Sequence, residues 1–138
     1  MERLASHTLG YIIEHMNKTV LIVEDSKLLR KVVRDELESN SFTVIEAEDG
    51  KAGLDVALAE HPDLIMLDLI MPVMDGMTMF THLREDDWGK NIPVIMLTGA
   101  EEGRIASWVG GEQLDIMRKE NWMIDEVTTR VKERLGME

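Results

Sequence analysis

Four short apolar runs punctuate the chain: Val20-Leu21-Ile22-Val23, Phe42-Thr43-Val44-Ile45, Leu64-Ile65-Met66-Leu67 and Val94-Ile95-Met96-Leu97. Each gives way to a longer segment in which apolar residues recur every three to four positions. Continuous runs of this length suit strands covered on both faces, and the alternation with helical segments is that of a parallel sheet with crossover helices. Ser26 is placed to cap a first helix whose inner face carries Leu29, Val32, Val33 and Leu37. Asp49-Gly50 forms the turn before a second helix marked by Leu54, Ala57 and Leu58, which Pro62 stops. Asp75-Gly76 opens a third, with Phe80 and Leu83 on its inner side. A fifth strand is expected between Leu114 and Lys119, behind the break at Gly110-Gly111. Ile124, Val127, Val131 and Leu135 mark the last helix, and Gly136 ends it.

Five strand and helix pairs therefore fill residues 19 to 136, an α/β domain spanning 18–138 behind an extension over 1–17. Within that extension Ala5, Leu9, Ile12, Ile13 and Met16 share one stripe. Such a stripe can dock as a short amphipathic helix on the core or on a partner. It can equally be an appendage without function, since Met16-Asn17-Lys18-Thr19 reads like a natural start.

Composition narrows the chemistry. At 138 residues and 15.7 kDa, one core is expected, large enough to fold without disulfides or a structural metal. There is no Cys, which removes zinc ribbons, iron–sulfur clusters and thiol catalysis and fits a reducing compartment. A net charge of −12 repels phosphate backbones and anionic lipid heads, so neither nucleic acid nor membrane is an expected partner. No membrane span or signal core stands out, and a cytoplasmic location is expected.

Three of the strands end in residues capable of chemistry: Glu24 and Asp25 after the first, Asp68 after the third and Thr98 after the fourth. In a parallel sheet with right-handed crossovers these ends share one rim, where ligands bind. Converging carboxylates repel, and an all-oxygen cluster suits Mg²⁺, which takes one or two carboxylates together with phosphate oxygens. Asp68 is then the best nucleophile, because a carboxylate can form an acyl phosphate. Thr98 can donate to a phosphoryl oxygen, and Lys119, or failing it Arg118, can supply the fixed cation that phosphoryl transfer needs. A charge gained at Asp68 would draw the Thr98 hydroxyl toward it, so the site reads as a switch.

These residues resemble the receiver domains of two-component response regulators, over about residues 18 to 135. The resemblance lies in Val20 to Asp25, in Phe42-x-Val44-x-x-Ala47-x-Asp49-Gly50, in Pro62 to Leu69 with Met71-Pro72-x-Met74-Asp75-Gly76, and in Pro93 to Ala100. It implies a flavodoxin-like, doubly wound five-stranded parallel sheet in the order 2-1-3-4-5. It implies that Asp68 accepts phosphate from a sensor histidine kinase or a histidine phosphotransfer protein. Asp25, Asp68 and the backbone carbonyl of Ile70 would hold Mg²⁺, with Glu24 acting through water, and Thr98 and Lys119 would take the family's hydroxyl and ammonium roles. The chain shows no output domain, so separate downstream proteins would carry the signal, and nothing beyond self-phosphorylation and autodephosphorylation is expected of it as an enzyme.

The match weakens after Ala100. Gly110 arrives early, so the fourth helix should be short by about one turn, and Leu114 stands nearest to the aromatic that the family places in its fifth strand. The face formed by the fourth helix, fifth strand and fifth helix usually serves output and homodimerisation, and Trp108 and Trp122 either rebuild it or pack in the core. Ile70 and Ala100 flank the site and should admit water poorly, so a slowly hydrolysing acyl phosphate is expected.

Other readings compete. Glu24-Asp25 alone could be a solvated turn into a helix, and Thr98 and Lys119 gain weight only beside Asp68. A haloacid-dehalogenase-like phosphatase also uses a strand-terminal Asp with Mg²⁺, but the position two residues on, where it needs an acid/base Asp, holds Ile70. A degenerate receiver that binds partners without phosphorylation is the remaining alternative, motivated by the altered region around Lys119.

Overall fold

A computed structural model of the chain describes residue 9 and residues 18–99, 108–109, 111–119 and 123–137. The four apolar runs become β1 (Thr19–Val23), β2 (Thr43–Ala47), β3 (Leu64–Asp68) and β4 (Val94–Thr98). Two short strands, β5 (Trp108–Val109) and β6 (Glu112–Gln113), pair antiparallel as a hairpin, and β7 (Asp115–Arg118) follows. The main sheet is parallel throughout, in the order β2-β1-β3-β4-β7. With the hairpin set aside, this is the expected 2-1-3-4-5 order of a doubly wound, flavodoxin-like sheet.

The side-chain period of two explains why the central strands are apolar without interruption. Leu21 and Val23 of β1, with Ile65 and Leu67 of β3 and Met96 of β4, face one side of the sheet. There they meet α2 (Gly50–Glu60) and α3 (Gly76–Glu85) through Ala57, Met79, Phe80 and Leu83. Val20, Ile22, Leu64, Met66, Ile95 and Leu97 face the other side. They meet Val33 and Leu37 of α1 (Lys27–Ser39) and Val127 and Val131 of α4 (Ile124–Arg134). In these central strands polar positions are confined to the ends, which places the chemistry there. Three helices start at the rim where the strands end, each with its own cap. Ser26 accepts from the Leu29 amide at 3.2 Å, Asp49 from Ala52 at 2.8 Å and Asp75 from Thr78 at 2.8 Å.

Three residues expected on inner helix faces lie outward: Val32, Leu58 and Ile124 are each 38–41% exposed. The stripe that meets the sheet in α1 follows the i, i+4 pair Val33 and Leu37, and Val32 is turned about 100° away from it. The expected helix running up to Gly110 is replaced, at Trp108–Val109, by the first strand of the hairpin. Gly111, at φ 81°, provides the left-handed turn residue that the hairpin needs. The stripe over 2–16 lies outside the described residues except for Leu9, as do Ala100, Trp122 and the side chain of Trp108. Among the described residues no helix is long and apolar enough to cross a membrane.

The loop from β3 to α3 is held by backbone contacts. Gly50 donates to the Met74 carbonyl at 3.0 Å, and Gly76 donates to the Leu69 carbonyl at 2.9 Å. A Cβ on Gly50 would stand 2.3 Å from the Met74 oxygen, so only glycine permits this approach. Between them Met74 donates to the Pro72 carbonyl at 2.7 Å, closing a three-residue turn that forces Val73 to φ 68° with 79% of its surface exposed. A β-branched residue in that region is strained by about 1–3 kcal/mol, while glycine there costs about 1 kcal/mol in unfolded-chain entropy. Val73→Gly is thus expected to raise the free energy of unfolding by about 1 kcal/mol. Urea denaturation of both proteins checks this, and a lower midpoint for the variant would contradict it.

Candidate functional site

Strand register sets the heights of the site residues. Val23 pairs with Leu67, so Glu24 is level with Asp68; Asp68 pairs with Leu97, and Thr98 with Arg118, so Thr98 stands one step further out and Lys119 two. Carboxylate oxygens of Glu24, Asp25 and Asp68 come within 4.8 Å of one another. Lys119 completes the cluster: its Nζ lies 3.0 Å from Glu24 Oε2 and 3.2 Å from Asp68 Oδ1. Glu24 and Asp68 are each 2% exposed, Thr98 is fully buried, and Asp25 reaches solvent.

Among the described residues the three expected acids and Lys119 are thus together, and Lys119, not Arg118, is the cation that reaches them. Arg118 lies on β7 opposite Thr98. The Thr98 hydroxyl donates to the Gly99 carbonyl at 3.2 Å. Ile70 donates its amide to Asp68 Oδ1 at 3.4 Å and leaves its side chain 60% exposed at the mouth of the site. Two residues that support the site escape the sequence reading. Gly76, read as a helix start and as part of the family motif but not as a support of the site, lies so close under β3 that a Cβ would stand 2.2 Å from the Asp68 carbonyl oxygen. Arg30, in the first turn of α1, donates to the Glu24 carbonyl at 2.7 Å. Their signals were the Asp68-to-Gly76 spacing and a basic residue one helical turn beyond Ser26, both legible only with the loop geometry known.

Residues 20–120 match the family model for the response regulator receiver domain. The chain belongs to that family. The polar-differentiation response regulator DivK of Brucella ovis is 39% identical to this receiver domain over 83 residues, covering 60% of this chain and 68% of DivK. A response regulator from Chloroflexus aurantiacus J-10-fl has a similar structure, with a TM-score of 0.75 at 27% identity over 86% of this chain and 98% of that one. The receiver domain of Francisella response regulator 1452 gives 0.73 at 28% identity over 87% and 98%.

Among the described residues of this receiver domain one ammonium faces three carboxylates, two of them buried, so negative charge is in excess there. Burial raises the Glu24 carboxyl to about 7, and the hydrogen bond and charge of Asp68 push in the same direction, against the opposing pull of Lys119. Burial alone would lower Lys119; its hydrogen bond to Glu24 and the charges of Asp68 and Glu24 outweigh this and raise it above its ordinary value. Lys119 is therefore a permanent cation at physiological pH, while Glu24 can hold a proton when no other cation is near.

A carboxyl raised in the folded state binds its proton where the unfolded chain has already released it. Its contribution to stability is complete below its ordinary value of 4.5 and is lost as pH climbs through about 7. In metal-free buffer, Glu24→Gln is expected to flatten the fall in stability between these limits. Urea midpoints measured across that range check this; an unchanged slope in the variant would place the titration elsewhere.

Proposed function

We propose that the chain is a phosphorylation-controlled switch of a two-component system, in which Asp68 accepts a phosphoryl group from a histidine kinase or a histidine phosphotransfer protein. The observation that carries this reading is the convergence of Lys119 on Asp68 and Glu24 at 3.2 Å and 3.0 Å, beside Asp25, at the end of an otherwise apolar strand. An unpaired carboxylate would be expensive to keep there, and a surface role would not need one.

The donor set fits Mg²⁺: hard oxygens only, three carboxylates whose oxygens lie within 4.8 Å, and an excess of negative charge. Asp25, Asp68 and the Ile70 carbonyl are the groups that would hold it, with Glu24 assisting through water. When bound, the ion supplies positive charge to the phosphoryl oxygens. The Asp68 carboxylate oxygen attacks phosphorus, the phosphorus–nitrogen bond to the donor imidazole breaks, and its electron pair stays on that nitrogen. Lys119, already bonded to the attacking carboxylate, is placed to follow the charge onto the phosphoryl group. Thr98, which now donates to a backbone carbonyl, has a hydroxyl that can turn to a phosphoryl oxygen, and this exchange of partners is the switching step. The new state would be read by a downstream protein.

Ile70 cannot move protons, which counts against phosphatase turnover. The intact acidic cluster with its lysine counts against a receiver that has lost phosphorylation. Incubation with Mg²⁺ and acetyl phosphate, followed by intact mass measurement, tests the reading. A single phosphoryl adduct is expected, decaying over minutes or longer because Ile70 is apolar, and absent from Asp68→Asn. Rapid phosphate release over many turnovers would indicate a phosphatase, and no adduct on the unaltered chain would indicate a phosphorylation-independent binding module.

A further inference from the structure

We propose that Arg30 is the positioning residue of the acidic pair, clamping the backbone of Glu24 and Asp25 so that their carboxylates address a divalent cation. The assignment rests on the proposed magnesium site. Backbone carbonyls that follow β1 and precede α1 belong neither to the sheet ladder nor to the helix, and need a donor from elsewhere. Arg30 provides it: Nη1 donates to the Glu24 carbonyl at 2.7 Å and to the Asp25 carbonyl at 3.3 Å. The guanidinium is itself anchored, because Nε donates to Glu46 Oε1 at 3.1 Å while the other oxygen of Glu46 is taken by Arg34. The Arg30 side chain is only 14% exposed.

Strand β2 thus holds the acidic pair in two ways. The Ala47 carbonyl accepts from the Glu24 amide at 3.1 Å, and Glu46 reaches the Glu24 carbonyl by way of Arg30. With both ends of this residue fixed, the directions in which the Glu24 and Asp25 side chains leave the backbone are fixed as well. The fork geometry of a guanidinium is what allows one side chain to serve two carbonyls and a carboxylate; an ammonium is a point charge and cannot. Charge alone would argue the other way. A cation beside a cation site repels the incoming ion, so removing it should tighten Mg²⁺ binding, whereas removing a clamp should loosen it.

The opposite signs make the test decisive. Mg²⁺ is titrated calorimetrically into the metal-free chain and into Arg30→Met, Arg30→Lys and Glu46→Gln, with urea midpoints recorded alongside at a temperature where all are folded. Arg30→Met keeps the apolar stem and is expected to bind Mg²⁺ about 10-fold to 100-fold more weakly. Arg30→Lys should recover part of that loss, and Glu46→Gln should weaken binding in the same direction while leaving the arginine charge in place. Unchanged or tighter binding by Arg30→Met, or a loss of stability with unchanged Mg²⁺ affinity, would overturn the role given to Arg30 and leave the magnesium site standing. Failure of the unaltered chain to take up Mg²⁺ would remove the site and the clamp together. Should Arg30→Met not fold, the lysine and glutamine variants carry the same comparison.

Discussion

The molecule is organised around a charge that it cannot bury alone. Asp68 ends a strand with no other polar residue, in a sheet covered on both faces, and Glu24 stands level with it on the neighbouring strand. Each is 2% exposed, so neither can rely on water for its solvation. Lys119 resolves this from the far side of the sheet. It follows β7, two strands from β3 and three from β1, a span of about 14 Å at ordinary strand spacing. Only a long flexible stem carrying a compact charge can cross β4 and serve both acids. The bond from Lys119 to Glu24 consequently joins residues 95 apart in sequence, and ties the last strand to the first at the point of chemistry.

Backbone crowding complements this electrostatic closure. The Asp68 carbonyl lies against Gly76, and the Met74 carbonyl lies against Gly50, in both cases closer than any side chain would allow. These contacts set the path of the β3–α3 loop before any ligand arrives, and the caps at Asp49 and Asp75 then start α2 and α3 from the same rim. A carboxylate on a strand end, backed by a glycine and faced by a lysine, has little freedom of direction. Preorganisation of this kind is what a phosphoryl acceptor needs, since catalysis of such transfers is chiefly a matter of placing charge.

Much of this was legible in the sequence because it follows from periods and ends. Runs such as Leu64 to Leu67 are apolar on both faces, so they had to be central strands; Asp68 and Thr98 interrupt the pattern at the ends, so they had to be exceptions with a purpose. Helix faces were legible only approximately, since Val32, three residues after Leu29, and Leu58, four after Leu54, fit the helical spacing yet point outward. The hairpin was not legible. Its strands are two residues long, too short to show any period, and Gly110-Gly111 reads equally well as the end of a helix or the turn of a ribbon. Arg30 escaped because a basic residue on an exposed-looking helix turn is indistinguishable from a solubilising one until its carbonyl partners are known.

The part that resisted reading is also held differently. β1 and β3 are fixed by side chains buried on both faces, each contributing roughly 2 kcal/mol. Among the described residues the hairpin is tied through Arg84, which forks onto Glu112 at 2.8 and 2.7 Å, donates to the Gly89 carbonyl at 2.7 Å and lies over the Phe80 ring at 4.6 Å. At the start of β7, Asp115 is held by Arg130 and Arg134 of α4. Polar ties of this sort exchange with water at a net cost of only about 1 kcal/mol each. The acids and Thr98 therefore end strands that are expensive to deform, while the ties described for the hairpin ahead of β7 are cheaper to rearrange. Under the proposed phosphorylation a charge added at Asp68 would meet resistance from the first and compliance from the second, and that asymmetry would give it a direction in which to be felt.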